Sequence, residues 1–442
     1  MHRSASYLRP CLFAWLGVHA ACASPGPAAP REAQAPTPIP LTEARERFAE
    51  AAALCATDHG ATWGVSLCGP MMVVDRETRF VVANQADARG QLRAQGGVFV
   101  GSLPSDESIA NTSFDWAGVH WAQLGWPLPA DRAERDILMM HELLHRLADQ
   151  LPLPHPGSID NPHLDTADGR YYLQLEWRAL ASALRATTDD GGRAAIAAAL
   201  AFRAARRTAF PGSAATEDAL ELHEGLAEYT GVVVGRPEPA GRIEAALQDL
   251  GAHVADPSFV RSFAYATGPS YGLLLDRYAA GWRARIAHTG SLADALATAV
   301  SVALPDVAQA AGAYGGPALR AAEEAREAKH AAQLAQYRRT LVDGPVATLR
   351  FRHKKIQFDP RSISPLGELG SVYRTLRVAD EWGVLEVTSS ALITADRTAV
   401  VVSAPSTTSG RTATGEGWHL ELAAGWRLEP DDRAGDVRLA PP

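Results

Sequence analysis

The chain has 442 residues, 47% hydrophobic and 21% charged, so it can bury a sizeable core and needs neither a disulfide nor a metal merely to fold. Its net charge of -8 and pI near 6.0 supply no basic field and argue against a nucleic-acid partner.

In chain order, Arg3 and Arg9 precede an apolar run from Cys11 to Val18, followed by the small residues of Ala20-Ala21-Cys22-Ala23-Ser24. This order predicts a signal peptide over 1–23, too short in its apolar part to span a bilayer, and hence an exported protein, periplasmic or extracellular. Two processing routes are open. Cleavage after Ala23 fits a small-x-small rule through Ala21 and Ala23; cleavage before Cys22 leads instead to a lipidated, membrane-attached protein, since Val18-His19-Ala20-Ala21-Cys22 partly resembles a lipobox. Pro25, Pro27, Pro30, Pro36, Pro38 and Pro40 lie among small and polar residues, which makes 24–41 a solvated tether. Cys55 and Cys68 remain in a compartment that permits oxidation, and a disulfide between them is expected.

The N-terminal β-containing part is placed over 42–130, with strand and turn signals over 69–130. Met71 to Val74 and Arg79 to Ala83 flank a polar turn and predict a hairpin, and Gly118 to Gly125 predicts a further strand that ends before Pro127-Leu128-Pro129. From Asp131 the pattern turns helical: Asp131 and Glu134 form a capping-box-like start, and Ile137, Leu138, Met139, Met140, Leu143, Leu144 and Leu147 make a broadly apolar cylinder running to about Gln150. Further helices are predicted over 171–187, 193–209, 216–232, 242–252 and 268–287, with a solvated or partner-facing helix over 317–341. The predicted fold class is α+β: an N-terminal β-containing part, a helical core over 131–343, and an all-β module over 344–442.

The chemistry-bearing pattern is His141-Glu142-Leu143-Leu144-His145. On a helix, two imidazoles four residues apart stand one above the other and can share a tetrahedral metal. Glu142 between them suits a general base that takes a proton from the attacking water. Two histidines and a carboxylate on so apolar a segment would be costly to bury without such a purpose. A catalytic zinc needs a third protein ligand and an open fourth position.

The later run Glu224-Gly225-Leu226-Ala227-Glu228-Tyr229, taken with His141 to His145, resembles the gluzincin metallopeptidases, the clan of thermolysin and the zinc aminopeptidases. The resemblance implies a thermolysin-like helical core, Zn2+ bound by His141, His145 and Glu224, Glu142 as general base, and a substrate held at a sheet edge by backbone pairing. It covers these two motifs, and the 78 residues between His145 and Glu224 exceed what those enzymes carry. Glu176 is therefore kept as an alternative third ligand, against a plain ion pair with Arg178, Arg203 or Arg206. Glu221 and Glu228 are candidates to hydrogen-bond a ligand imidazole. The resemblance also implies an oxyanion donor on a later helix: Tyr271, with Tyr265 and Arg261 behind it. Gly225 is read as a close-packing position against the histidine helix, and His155 and His163 as substrate-loop or surface residues. The activity expected is zinc-dependent hydrolysis of a peptide or protein. The alternatives are a zinc amidase or esterase acting on a small or cell-wall substrate, and an exported binding protein without turnover.

Overall fold

In the computed structural model, residues 39–151, 153, 159–359 and 362–442 are described. The expected signal peptide, Cys22, nearly all of the expected tether and His155 lie outside them.

The first element is a helix that the strand signals of its surroundings concealed, α1 (Leu41–Asp58). Ala44, Phe48, Ala51 and Cys55 recur at helical spacing and form its buried stripe. Next comes a sheet of β1 (Met71–Asp75), β2 (Phe80–Ala83), β3 (Arg93–Gln95), β4 (Val98–Ser102), β5 (Thr112–Trp116) and β6 (Val119–Trp126), in the order β3-β4-β2-β1-β6-β5. The expected hairpin is β1–β2, closed by the Asp75 carboxylate, which accepts hydrogen bonds from the Glu77 and Thr78 N–H groups. β1 pairs with β6 in parallel, and the other pairings are antiparallel. This central position explains the unbroken run Met71 to Val74: Met71 and Val73 face the main core, while Met72 and Val74 face a smaller cluster with Trp116 and Trp121.

α2 (Arg132–Leu147) follows β6 directly and packs along β5 and β6. Its start is as predicted, with Asp131 Oδ1 accepting the Glu134 N–H at 3.0 Å. α3 (Ala167–Arg185) and α4 (Asp189–Ala209) pack against each other. α5 (Ser213–Leu220) runs into a π turn, Glu221–Gly225, that continues as α6 (Leu226–Gly235). α7 (Pro239–Ala252) and α8 (Phe263–Tyr278) follow. Pro269, expected near the start of the last of these, lies inside it.

Glycines set the spacing of α2, α6 and α8. A side chain on Gly268 would stand 2.2 Å from Gly225 Cα, and one on Gly272 would stand 2.2 Å from the Tyr229 ring, so α6 and α8 cross in backbone contact. Gly231 and Gly235 meet the Ile137 backbone, where a Cβ would come within 2.6 and 2.9 Å. Gly225 is thus a close-packing position, but its partner is α8; the glycines that admit α2, Gly231 and Gly235, lie further along α6.

Beyond the long helix Gly316–Arg338, a seven-stranded and a six-stranded sheet enclose a second core that includes Leu349, Val378, Trp382, Leu385, Val400 and Leu420. This is the expected all-β region. Lys355 joins it to the loop after β4 through Asp106 and Glu107, at 3.1 and 3.3 Å. The expected disulfide is not formed: Cys55 is a buried thiol and Cys68 an exposed one, close enough that burial and then Cys68 push the Cys55 thiol up. No helix among the described residues is long and apolar enough to cross a membrane.

Candidate metal centre

α2 delivers His141 and His145 from adjacent turns of one face, and the π turn brings Glu224 against them. The three donor atoms form a triangle: His141 Nε2 to His145 Nε2 is 3.0 Å, His145 Nε2 to Glu224 Oε2 3.3 Å, and His141 Nε2 to Glu224 Oε2 3.6 Å. Tetrahedral bonds of ~2.0–2.1 Å require ligand atoms ~3.3–3.4 Å apart, and the observed edges bracket that value.

Charge and hydrogen bonding agree with this geometry. Glu228 Oε2 lies 2.7 Å from His141 Nδ1 and is placed to accept its N–H, the contact that in carboxylate–histidine–metal arrangements leaves Nε2 for the ion. The two imidazole Nε2 atoms and the carboxylate oxygen converge on one spot, and with both rings neutral all three would be free to bind a cation. Three carboxylates, those of Glu142, Glu224 and Glu228, converge on the cluster, opposed by Arg261, whose Nη2 donates to Glu224 Oε1 at 3.1 Å. Burial alone would raise the Glu224 carboxyl, but hydrogen bonds to His141 and His145 hold it well below the usual range.

Glu142 is 3% exposed and its Oε2 has no protein partner. Burial raises its pKa, with the charges of His141 and His145 opposing. A buried carboxylate oxygen without a protein donor beside three acceptors suits a site that takes a metal and a water. His141, His145, Glu224 and Glu142 therefore fit a catalytic zinc by donor set, spacing and orphaned base.

Tyr265 also belongs to this cluster. Its hydroxyl donates to Glu224 Oε2 at 2.7 Å, and its ring lies parallel to His141, centroids 5.7 Å apart. Tyr271 does not: it is fully buried, donates to Glu176 Oε1 at 2.7 Å, and packs its ring against the Arg203 guanidinium. Six residues of helix place the two tyrosines about 120° apart around α8, and Tyr265 is the one turned to the histidines. Glu176 is likewise drawn away, paired with Arg203 at 2.8 Å and Arg206 at 2.6 Å. Of the two other acids near Glu224, Glu228 reaches His141, whereas Glu221 binds Arg203 and Thr267. His163 is not a surface residue; its Nε2 lies 2.8 Å from the buried Glu217.

His223, beside Glu224 in sequence, was passed over. Its ring centroid is 4.8 Å from that of His145, and burial, with the charge of His145 adding to it, lowers its pKa to about 4. Only its adjacency to the ligand candidate could have marked it.

The chain matches no protein family, and no curated protein or solved structure is similar to it.

Proposed function

We propose that the protein is an exported zinc-dependent hydrolase with a thermolysin-like core, acting as a metallopeptidase on a peptide or protein. The observation that carries this reading is the donor triangle of His141, His145 and Glu224 with the unpartnered Glu142 carboxylate beside it. Zinc bound there would polarise the scissile carbonyl and acidify a water. Glu142 would accept the proton of the attacking water and return it to the leaving nitrogen. Glu228 orients His141 and fixes its tautomer. Tyr265, whose hydroxyl stands 2.7 Å from Glu224 Oε2, would hydrogen-bond the carbonyl oxygen as negative charge develops on it, the role first expected of Tyr271. β5, one of the sheet's two edge strands and packed against α2, would pair its outer edge with an extended substrate.

The test pairs metal analysis with turnover of a peptide library. Glu142→Gln is expected to keep one zinc per chain and to lose about 10²–10⁴-fold in rate. Zinc uptake by the wild type with no hydrolysis anywhere in the library would sink the enzyme reading and leave a metal-binding protein. Glu224→Gln is expected to lose the metal, while Glu176→Gln retains it.

A further inference from the structure

The 78 residues between His145 and Glu224 fold largely into α3, α4 and α5. From α4, Arg203 reaches the first residue of the π turn. Its Nη1 donates to Glu221 Oε2 at 2.7 Å, its Nη2 to Glu221 Oε1 at 2.5 Å, and its Nε to Glu176 Oε1 at 2.8 Å. Thr267 of α8 adds a hydroxyl bond to Glu221 Oε1 at 2.5 Å. Glu176, Glu221 and Thr267 are 0% exposed and Arg203 3%.

Resting on the zinc-site reading above, we infer that the Arg203–Glu221 pair is a positioning device for Glu224, supplied by the helical insertion itself. A π turn holds one residue more than an α turn and is rarely stable unaided. Relaxation of Glu221–Gly225 into regular helix would re-aim Glu224 relative to α5, away from His141 and His145. A forked guanidinium fixes both the place and the plane of the carboxylate it grips, so the pair locks the start of the turn. The Gly225–Gly268 contact locks its end. Buried ion pairs contribute little net stability, and what this one supplies is a unique geometry. The insertion is thus the second layer of the third ligand's seat.

The experiment compares zinc affinity, by competition with a chelating dye, in folded wild type, Glu221→Gln and Glu323→Gln. Glu323 is a matched control: 4% exposed and paired with Arg170 at 2.6 Å, with its partners, Arg170 and Gln174, on α3 and not on the π turn. Glu221→Gln is expected to bind zinc about tenfold more weakly, and Glu323→Gln to bind it as the wild type does, although both lose stability. Equal affinity in Glu221→Gln and wild type, or an equal loss in Glu323→Gln, overturns the inference and leaves the zinc site standing. A wild-type chain that takes up no zinc overturns both. Should Glu221→Gln fail to fold, Thr267→Val removes the hydroxyl contact to the same carboxylate, along with a bond to Phe263 O inside α8, and leaves the Arg203–Glu221 pair in place; a measurable loss of affinity is expected, and none overturns the inference.

Discussion

The helical region and the β sandwich bury their interiors in opposite ways. Between 131 and 343 the core encloses Arg170, Glu176, Arg203, Arg206, Glu217, Glu221 and Glu323, each at most 4% exposed, whereas among the described residues of the sandwich the one buried polar side chain is that of Ser362. An apolar core is specified by volume and tolerates exchange. A charged core is specified by partner and direction, and each member depends on the others. The difference teaches where the molecule keeps its geometric demands: around the helices that carry the histidines and Glu224.

The sharpest way to break the comparison is Arg206→Met. Arg206 pairs with Glu176 and Glu217, and removing it strands buried carboxylates at a cost of about 3–5 kcal/mol, read by urea denaturation at neutral pH. Leu385→Ala in the sandwich core is expected to cost about 2–5 kcal/mol through the cavity it leaves, with zinc content unchanged. If Arg206→Met proved the milder of the two, the contrast would collapse.

Acid sharpens it further. Burial alone would raise the Glu176 and Glu217 carboxyls, but Arg203 and Arg206 hold Glu176 below the usual range, and Arg206 with His163 holds Glu217 well below it. The unfolded chain therefore binds protons first, so this stability is present above the ordinary Glu pKa of about 4.3 and is lost as pH falls below it through the folded values. Hydrogen exchange at falling pH should release the amides of α3 and α4 before those of the sandwich strands; the reverse order would contradict the charge-network account. The smallest effect belongs to the junction: Lys355→Ala is expected to cost under about 1 kcal/mol, because its pairs with Asp106 and Glu107 are part-exposed.

Much of the site was legible before the structure. His141 and His145 stand on a helix because the apolar spacing from Ile137 to Leu147 and the Asp131 cap leave little choice, and Glu224 could be named from its motif. Tyr265 and Tyr271 could not be told apart, since which face of α8 meets the histidines is decided by the crossing with α6 and not by α8 itself. α1 escaped because four buried residues in eighteen make a thin stripe beside strong strand signals. The all-β end was readable from its short apolar runs, its pairing order was not, because register depends on distant partners.

The backbone contact between α6 and α8 has one more consequence. With no Cβ at Gly225 or Gly268 to hold them apart, the two helices share a seam with no room for sliding, and Glu224 and Tyr265 sit on either side of it. Their relative placement is settled when the protein folds, so under the hydrolase reading the reorganisation free energy of bringing metal ligand and phenol together would be met in advance of any substrate.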